Sequence, residues 1–178
     1  MKNIISTGEW GSDASWELYH SVDQPPLALS TAVMCVAIYN GSIVLARNDR
    51  GWGLLGGHIE KGESHIDALK REAHEEGGFV IDAHEQFAVR KITNSRPLSL
   101  PGRRPYPFPI SYMPFYWAIT DTPPTTHYAE DIFESKVFHI DEITPSLTND
   151  YAIILAGWKA FHASTHAEQR KVAANPQV

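Results

Sequence analysis

The segment from Gly56 to Phe79, GGHIEKGESHIDALKREAHEEGGF, constrains the fold more than any other part of the chain. Ser64 is followed three residues later by Asp67, which is the spacing of a capping box at the start of a helix. Gly77 and Gly78 are typical residues at the end of a helix. The sequence therefore predicts a helix of about 13 residues between these signals.

Three glutamates of this predicted helix project from one side. At about 100° per residue, Glu72, Glu75 and Glu76 fall within an arc of about 100°. The apolar positions of the same helix are Ile66, Leu69 and Ala73. They lie beside the acidic arc and not opposite it, so we expect the carboxylates at the seam between the helix and the rest of the domain.

The acidic arc has two interpretations. Glutamates four residues apart repel one another by a few tenths of a kcal/mol, and most such clusters are ordinary solvated helix faces. A divalent cation would relieve the repulsion, and Mg²⁺ prefers carboxylate oxygens together with water and phosphate. The helix is therefore a candidate metal site, with a plain solvent-exposed face as the alternative.

The spacing of the glycine, glutamate and arginine residues in this segment resembles the Nudix box. That pattern is Gly, five residues, Glu, seven residues, Arg-Glu-hydrophobic, one residue, Glu-Glu, one residue and Gly-hydrophobic. Its positions are filled here by Gly57, Glu63, Arg71, Glu72, Ala73, Glu75, Glu76, Gly78 and Phe79. Only the lead-in differs, because Leu55 stands where proline is common. The resemblance implies an α+β fold, an α/β/α sandwich with a mixed sheet between helices.

The resemblance also implies an activity, which is hydrolysis of a pyrophosphate linkage in a nucleoside diphosphate derivative with Mg²⁺ or Mn²⁺. It makes Glu72, Glu75 and Glu76 the metal ligands, with one of them as general base. It adds the Gly57 carbonyl to the metal shell and Glu63 as a supporting acid. Arg71 would orient a glutamate through a charge-assisted bond.

Family members often add an acidic residue from a loop before a late strand. The candidates in this chain are Glu130, Asp131 and Glu134, and chain position does not choose among them. We favour Glu130 over Glu134 because it lies further from the predicted strand. Three histidines lie in or beside the acidic segment, His58, His65 and His74. None has convincing zinc spacing, so we interpret them as surface residues or residues behind the metal ligands.

A proline-rich segment, residues 94–109, supplies candidate substrate contacts. It partly resembles a motif of NADH-pyrophosphatase-type relatives, with Tyr106 in place of tryptophan and Arg103 and Arg104 in place of Ser-Gln. The aromatic Tyr106 and Phe108 could stack on a base, and the arginines could neutralise phosphate. The alternative is a loop that only covers a sheet edge.

Two further residues, Arg47 and Trp52, precede the acidic segment. Both are candidate substrate contacts, and for Trp52 the alternative is a core aromatic residue. The substrate remains open among a nucleoside triphosphate, an ADP-ribose-like sugar and a dinucleotide. Two other functions share the resemblance. One is a non-catalytic module that senses a nucleotide. The other is an isoprenoid diphosphate isomerase. It ranks last because its chemistry resembles a cysteine-dependent one, and the single cysteine, Cys35, lies in a predicted buried strand.

The whole chain fits a single domain over 1–178, with a core of about 30–165, an N-terminal extension at 1–29 and a disordered tail at 167–178. The net charge of −6 argues against binding duplex nucleic acid, and no apolar run is long enough to span a membrane. A single cysteine and the absence of a signal-peptide pattern predict a cytoplasmic protein. A homodimer is compatible with the sequence, which does not specify the oligomeric state.

Predicted strands surround the helix. They are SWELYHSV, STAVMCVAIY, SIVLAR, EQFAVRKIT, ISYMPFYWAIT and SKVFHI, and a second helix is predicted in SLTNDYAIILAGWKAFHAS. Asn40-Gly41 predicts a tight hairpin between the second and third of these strands. Residues 1–14 are expected to be irregular and the segment NDRGWGLLGG a loop. Pro114 predicts a bulge or an edge position within its strand.

Overall fold

The computed structural model describes residues 2–78, 80–98, 105–121, 123–125 and 131–167. The strands are β1 (Ile4–Trp10), β2 (Ala14–His20), β3 (Ala32–Tyr39), β4 (Ser42–Asn48), β5 (Gly51–Gly53), β6 (Leu55–His58), β7 (Ala83–Asn94), β8 (Ile110–Thr120) and β9 (Glu134–Phe138). The helices are α1 (His65–Gly77) and α2 (Tyr151–His162), with 3-10 turns at Leu27–Leu29 and Ile140–Glu142.

One mixed sheet organises these elements, in the order β1-β2-β7-β8-β3-β4-β5, with β6 paired to β3 and β9 paired to β4. The β3–β8 pair is parallel and the other pairs are antiparallel. The predicted hairpin is confirmed, because Asn40 (φ 47°) and Gly41 (φ 71°) connect β3 to β4 as a two-residue turn.

Each face of the sheet carries a helix over its own apolar cluster. Strand β3 contributes to both, because alternate side chains point to opposite faces. Val33, Cys35 and Ala37 pack with residues of α1, whereas Val36 and Ile38 pack with residues of α2. The predicted α/β/α sandwich is confirmed. Within the described residues, neither helix combines the length and the apolar composition needed to cross a bilayer.

Two local predictions were wrong, both for segments with weak local signals. Residues 4–10, expected to be irregular, form β1 because they pair with β2 along its whole length. The glycine-rich segment after β4, expected to be a loop, contains β5 and β6. Pairing with β4 and with the central strand β3 provides the hydrogen bonds that local propensity does not predict.

The N-terminal hairpin of β1 and β2 extends the central sheet, since β2 pairs with β7 from Ala14 to His20. The bulge or edge position predicted for the strand of Pro114 is wrong, because β8 lies between β7 and β3 and the register shift of the β7–β8 pair is in β7, between Gln86 and Ala88. The predicted disordered tail lies, apart from Ala167, outside the described residues. Ala167 itself is buried against the α2 cluster.

Candidate active site

Local sequence signals fix both ends of α1. The Ser64 hydroxyl accepts a hydrogen bond from the Asp67 N–H (3.1 Å), and the Asp67 carboxylate accepts one from the Ser64 N–H (3.1 Å). At the other end Gly78 adopts a left-handed conformation (φ 66°), and its N–H donates to the His74 carbonyl. The predicted helix of about 13 residues is confirmed at 13 residues.

Strand β6 runs against the acidic side of α1. The Gly56 N–H donates to Glu76 Oε2 at 2.7 Å. A Cβ atom at Gly57 would lie only 2.3 Å from Glu72 Oε1, so the absence of a side chain lets this carboxylate lie directly against the backbone. Two of the three glutamates are therefore held against consecutive residues of the same strand.

The guanidinium of Arg71 donates hydrogen bonds to three of the acidic side chains. Its Nη1 donates to both Glu72 Oε1 and Glu75 Oε2 at 2.9 Å, and its Nε donates to Glu63 Oε1 at 2.7 Å. Its Nη2 donates to the His58 carbonyl at 2.9 Å, which ties the helix to β6. One guanidinium thus sets the positions of three carboxylates, with a fork geometry that a lysine cannot reproduce.

The electrostatics differ among these carboxyl groups. Burial raises the pKa of Glu76 to about 8, opposed by the Gly56 hydrogen bond and reinforced by the charges of Glu72, Asp131 and Glu75. Burial also raises the pKa of Glu72. The hydrogen bond from Arg71 lowers the pKa of Glu63. Glu63 is therefore an ionised support, whereas Glu72 and Glu76 are charged only at a cost that a cation would offset.

The donor set fits a hard divalent ion. The acidic groups offer carboxylate oxygens, the ligands that Mg²⁺ and Mn²⁺ prefer. Glu72 and Glu75 share the Nη1 of Arg71, and Glu72 and Glu76 lie against the adjacent residues Gly57 and Gly56. Across the described ranges no three acidic, histidine or cysteine side chains form a ready-made metal cage. Glu72 and Glu75 both accept hydrogen bonds from Arg71. To bind a metal ion, each carboxylate must either give up this bond or keep it with one oxygen while the ion is bound.

A cleft of about 810 Å³ opens over these groups. Its walls come from several strands, and they mix aromatic, charged and amide side chains. Besides the acidic helix, the lining includes Trp10, Met34, Asn48, Arg50, Trp52, Arg90, Asn94, Tyr106, Phe115, Asp131, Asn149 and Asp150. The arrangement can hold an elongated ligand with one end at the carboxylates and another between aromatic rings.

The structure brings most of the sequence-predicted site residues together. Those that line the cleft are Trp52, Gly57, Arg71, Glu72, Glu75, Glu76 and Tyr106. Glu63 lies behind Arg71 as its strongest partner. The Tyr106 hydroxyl is 2.6 Å from His58 Nε2, and the two rings are stacked. Trp52 packs edge-on against Phe138, so its two predicted interpretations, cleft wall and core aromatic, both hold.

Other candidates lie away from the cleft or outside the described residues. Arg47 pairs with Glu134 at 3.6 Å and lies over the Trp52 ring, and it does not line the cleft. Phe108 is 51% exposed and also lies off the cleft. The predictions for Arg103, Arg104 and Glu130 fall outside the described residues.

Sequence reasoning missed or misplaced several residues. His65, interpreted as a surface residue or one behind the ligands, is buried and hydrogen-bonds Ser30 Oγ at 2.8 Å, because the first turn of α1 packs against the turn after Leu27–Leu29. Asp131, one of the three acidic candidates, lines the cleft, and its charge raises the pKa of Glu76. Arg90 was not singled out, although an arginine inside the predicted strand EQFAVRKIT was a signal for it.

The fold and the site define an α+β sandwich protein. Its acidic helix α1, in which Arg71 hydrogen-bonds the glutamates, lies at the edge of a cleft large enough for a ligand. The model of the NUDIX domain family matches residues 28–157, well over half of the chain. The chain therefore belongs to the NUDIX family, whose members act on nucleoside diphosphate derivatives and generally use divalent metals. This membership identifies the protein as an enzyme of the pyrophosphohydrolase class.

Solved structures show the same fold. The pyrophosphohydrolase BsRppH of Bacillus subtilis superposes with a TM-score of 0.59 at 18% identity, over 83% of this chain and 93% of that one. The NUDIX domain of NrtR from Shewanella oneidensis, in complex with ADP ribose, gives 0.53 at 16% identity, over 80% and 95%. A MutT NUDIX hydrolase of Burkholderia pseudomallei gives 0.52 at 21%, over 75% and 97%. The comparison with curated proteins found no match.

Proposed function

We propose that the protein hydrolyses the pyrophosphate linkage of a nucleoside diphosphate derivative, with Mg²⁺ or Mn²⁺ held by Glu72, Glu75 and Glu76. One observation carries the proposal. Three carboxylates of α1 meet at the cleft, two against the backbone of β6 and two on the Arg71 guanidinium. Glu72 and Glu76 lose solvation by burial, so their charged forms are costly without a cation, and a cation in the cleft would offset this cost.

A bound divalent ion supplies charge neutralisation on phosphate oxygens and a more acidic water. The chain's own residues supply the positioning. The side chain of Glu75 is 42% exposed against 12% for Glu72, so Glu75 is our candidate to accept a proton from water. Arg71 and Glu63 act as positioning residues, because they hold the glutamates and are not themselves required to contact substrate. We keep the Gly57 carbonyl as a further proposed ligand.

The cleft supports a substrate with a planar group attached to its diphosphate. Trp52 and Tyr106 line it and provide aromatic surface. We retain a nucleoside triphosphate, an ADP-ribose-like sugar and a dinucleotide as candidates. ADP ribose is the ligand in the complex of the NrtR NUDIX domain, which shares the fold. Arg103 and Arg104 remain proposed phosphate contacts. Glu130 remains a proposed acid beside the metal site, with Asp131 as the alternative that lines the cleft.

The cellular compartment and the oligomeric state are also proposals. We propose a cytoplasmic protein, since its lone Cys35 is a buried free thiol that fits a reducing environment. A homodimer remains compatible with these features. Burial also raises the pKa of the Cys35 thiol, which makes it a poor candidate for the cysteine chemistry of an isomerase.

The direct test is a panel of nucleotide substrates with product analysis, with Mg²⁺, with Mn²⁺ and with EDTA. We expect cleavage of a phosphoric anhydride that stops with EDTA and falls at least about 100-fold in Glu72→Gln and Glu75→Gln. Glu85→Gln, an exposed glutamate of β7, is the matched control and should leave activity unchanged. Full activity in the Glu72 and Glu75 variants, with unchanged thermal unfolding, would refute the proposal.

A further inference from the structure

Arg90 occupies an aromatic cage on a different wall of the cleft from the glutamates. Its guanidinium carbon lies 4.6 Å from the centre of the Trp16 ring, 5.1 Å from Phe115 and 5.7 Å from Trp10. The three rings come from β1, β2 and β8, and Arg90 itself comes from β7. Arg90, Trp10 and Phe115 all line the cleft.

This arginine is short of partners. Its Nε is buried and makes no hydrogen bond with any described residue, and the same holds for Trp16 Nε1. Within the described ranges no carboxylate forms an ion pair with Arg90 either. Burial lowers the pKa of Arg90, and the charge of Asp150 only partly opposes this. Buried donors in folded proteins are nearly always bonded. Because Nε is buried, a ligand in the cleft would meet the two Nη groups, which are not buried and donate to no described residue.

The surroundings indicate the chemistry of that ligand. Aromatic rings cover the guanidinium faces, so its remaining N–H donors point along its edges, where two adjacent acceptors fit best. The same cleft carries Asp150, whose Oδ2 accepts a hydrogen bond from the Leu54 N–H at 3.2 Å. A further anion beside Asp150 would be repelled. A neutral planar group suits both side chains if it offers two adjacent acceptors to Arg90 and N–H donors to Asp150.

We propose that Arg90 and Trp10 form the nucleobase subsite of this enzyme and that the subsite selects guanine. Guanine presents O6 and N7 as a pair of acceptors for arginine, and it also carries N–H donors on the neighbouring edge. The inference rests on the proposed function, because it assumes a nucleotide in the cleft. Trp10 lies outside residues 28–157 that match the family, so the N-terminal hairpin adds this part of the subsite.

The test measures binding of guanosine and adenosine monophosphates by calorimetry in EDTA, so that it does not depend on turnover. We expect the guanine nucleotide to bind at least about 10-fold more tightly than the adenine nucleotide to the wild type. Arg90→Lys keeps the charge but loses the fork, and it should reduce this preference to less than about 3-fold. Trp10→Ala, at a 46% exposed residue, should weaken both nucleotides by about 10-fold or more.

The controls separate this proposal from the proposed function. Lys91→Ala, whose side chain points to the opposite face of β7, should change neither affinity. Glu72→Gln should keep the guanine preference although it removes activity. Equal binding of the two nucleotides to the wild type, or binding of neither, would overturn the subsite.

Arg90→Lys also discriminates a base contact from a phosphate contact. An equal loss for both nucleotides would mean that Arg90 binds phosphate, and the proposal would be wrong. If Arg90→Lys does not fold by circular dichroism, Asp150→Asn serves instead, since its amide oxygen can still accept the Leu54 N–H. It should weaken the guanine nucleotide selectively, and an unchanged preference would contradict the proposal.

Discussion

Replacing Gly57 by alanine tests the geometry of the site with one methyl group. The added Cβ would lie 2.3 Å from Glu72 Oε1 and 2.6 Å from Glu72 Oε2. An ordinary contact is about 3.4 Å or more, so the carboxylate must retreat by about 1 Å. Its hydrogen bond with Arg71 is now 2.9 Å and would stretch beyond bonding range. The backbone of Gly57 does not have a positive φ, so alanine brings no conformational strain of its own.

The expected effect is on catalysis more than on stability. A displacement of about 1 Å in a catalytic group typically costs about 100-fold in rate, which corresponds to roughly 2.7 kcal/mol of transition-state stabilisation. We therefore expect kcat/KM for the best substrate of the panel to fall about 100-fold in Gly57→Ala. Steady-state kinetics at several Mg²⁺ concentrations measure this, and the Mg²⁺ needed for half-maximal activity should rise.

Gly41→Ala is the control with the opposite pattern. Gly41 lies in the β3–β4 turn with φ 71° and no atom within 4 Å of an added Cβ. Alanine there should lower the free energy of unfolding by about 1 kcal/mol and leave kcat/KM unchanged. Wild-type kinetics and metal dependence in Gly57→Ala would refute the reasoning, because they would show that Glu72 does not work from its position against β6.

Two further predictions concern the charges of α1. Glu76 has a pKa of about 8 in the folded metal-free protein and an ordinary pKa near 4.5 in the unfolded chain. Protonation of Glu76 therefore stabilises the folded state. This contribution is complete below pH 4.5 and is lost as the pH rises through 8. Glu76→Gln should therefore raise the free energy of unfolding at pH 8 in EDTA by up to roughly 3–5 kcal/mol, and by much less at pH 5. Denaturant unfolding at the two pH values measures this, and an equal effect of the substitution at both would contradict the prediction. Arg71→Lys cannot bond Glu63, Glu72 and Glu75 together, so we expect kcat to fall about 10- to 100-fold with little change in KM, and a change in KM alone would speak against a positioning role.

Local signals predicted the parts of the site that depend on neighbours in the chain. Ser64, Asp67 and Gly78 fixed the ends of α1, and Asn40-Gly41 fixed the central hairpin, because capping and tight turns depend on a few adjacent residues. The helical period also placed the acidic residues beside the docking face. That prediction needed only the geometry of one element.

Contacts between distant elements could not be predicted in the same way. The close approach of Gly57 to Glu72 depends on how β6 docks on α1. Trp10 reaches the cleft only because β1 pairs with β2 and β2 with β7, which the weak strand signal of residues 1–14 did not indicate. His65 is buried against Ser30, in a turn from elsewhere in the chain, so of its two interpretations the surface residue is wrong.

Uptake of a divalent ion by the acidic helix tests the central claim most directly. Calorimetric titration of Mn²⁺ should be performed with and without a nucleotide ligand, on the wild type and on Glu72→Gln and Glu75→Gln, with Glu85→Gln as the control. We expect saturable binding to the wild type and to the control, and binding at least about 10-fold weaker in the two α1 variants. Absence of uptake by the wild type even with nucleotide present, or equal uptake by all four proteins, would contradict it.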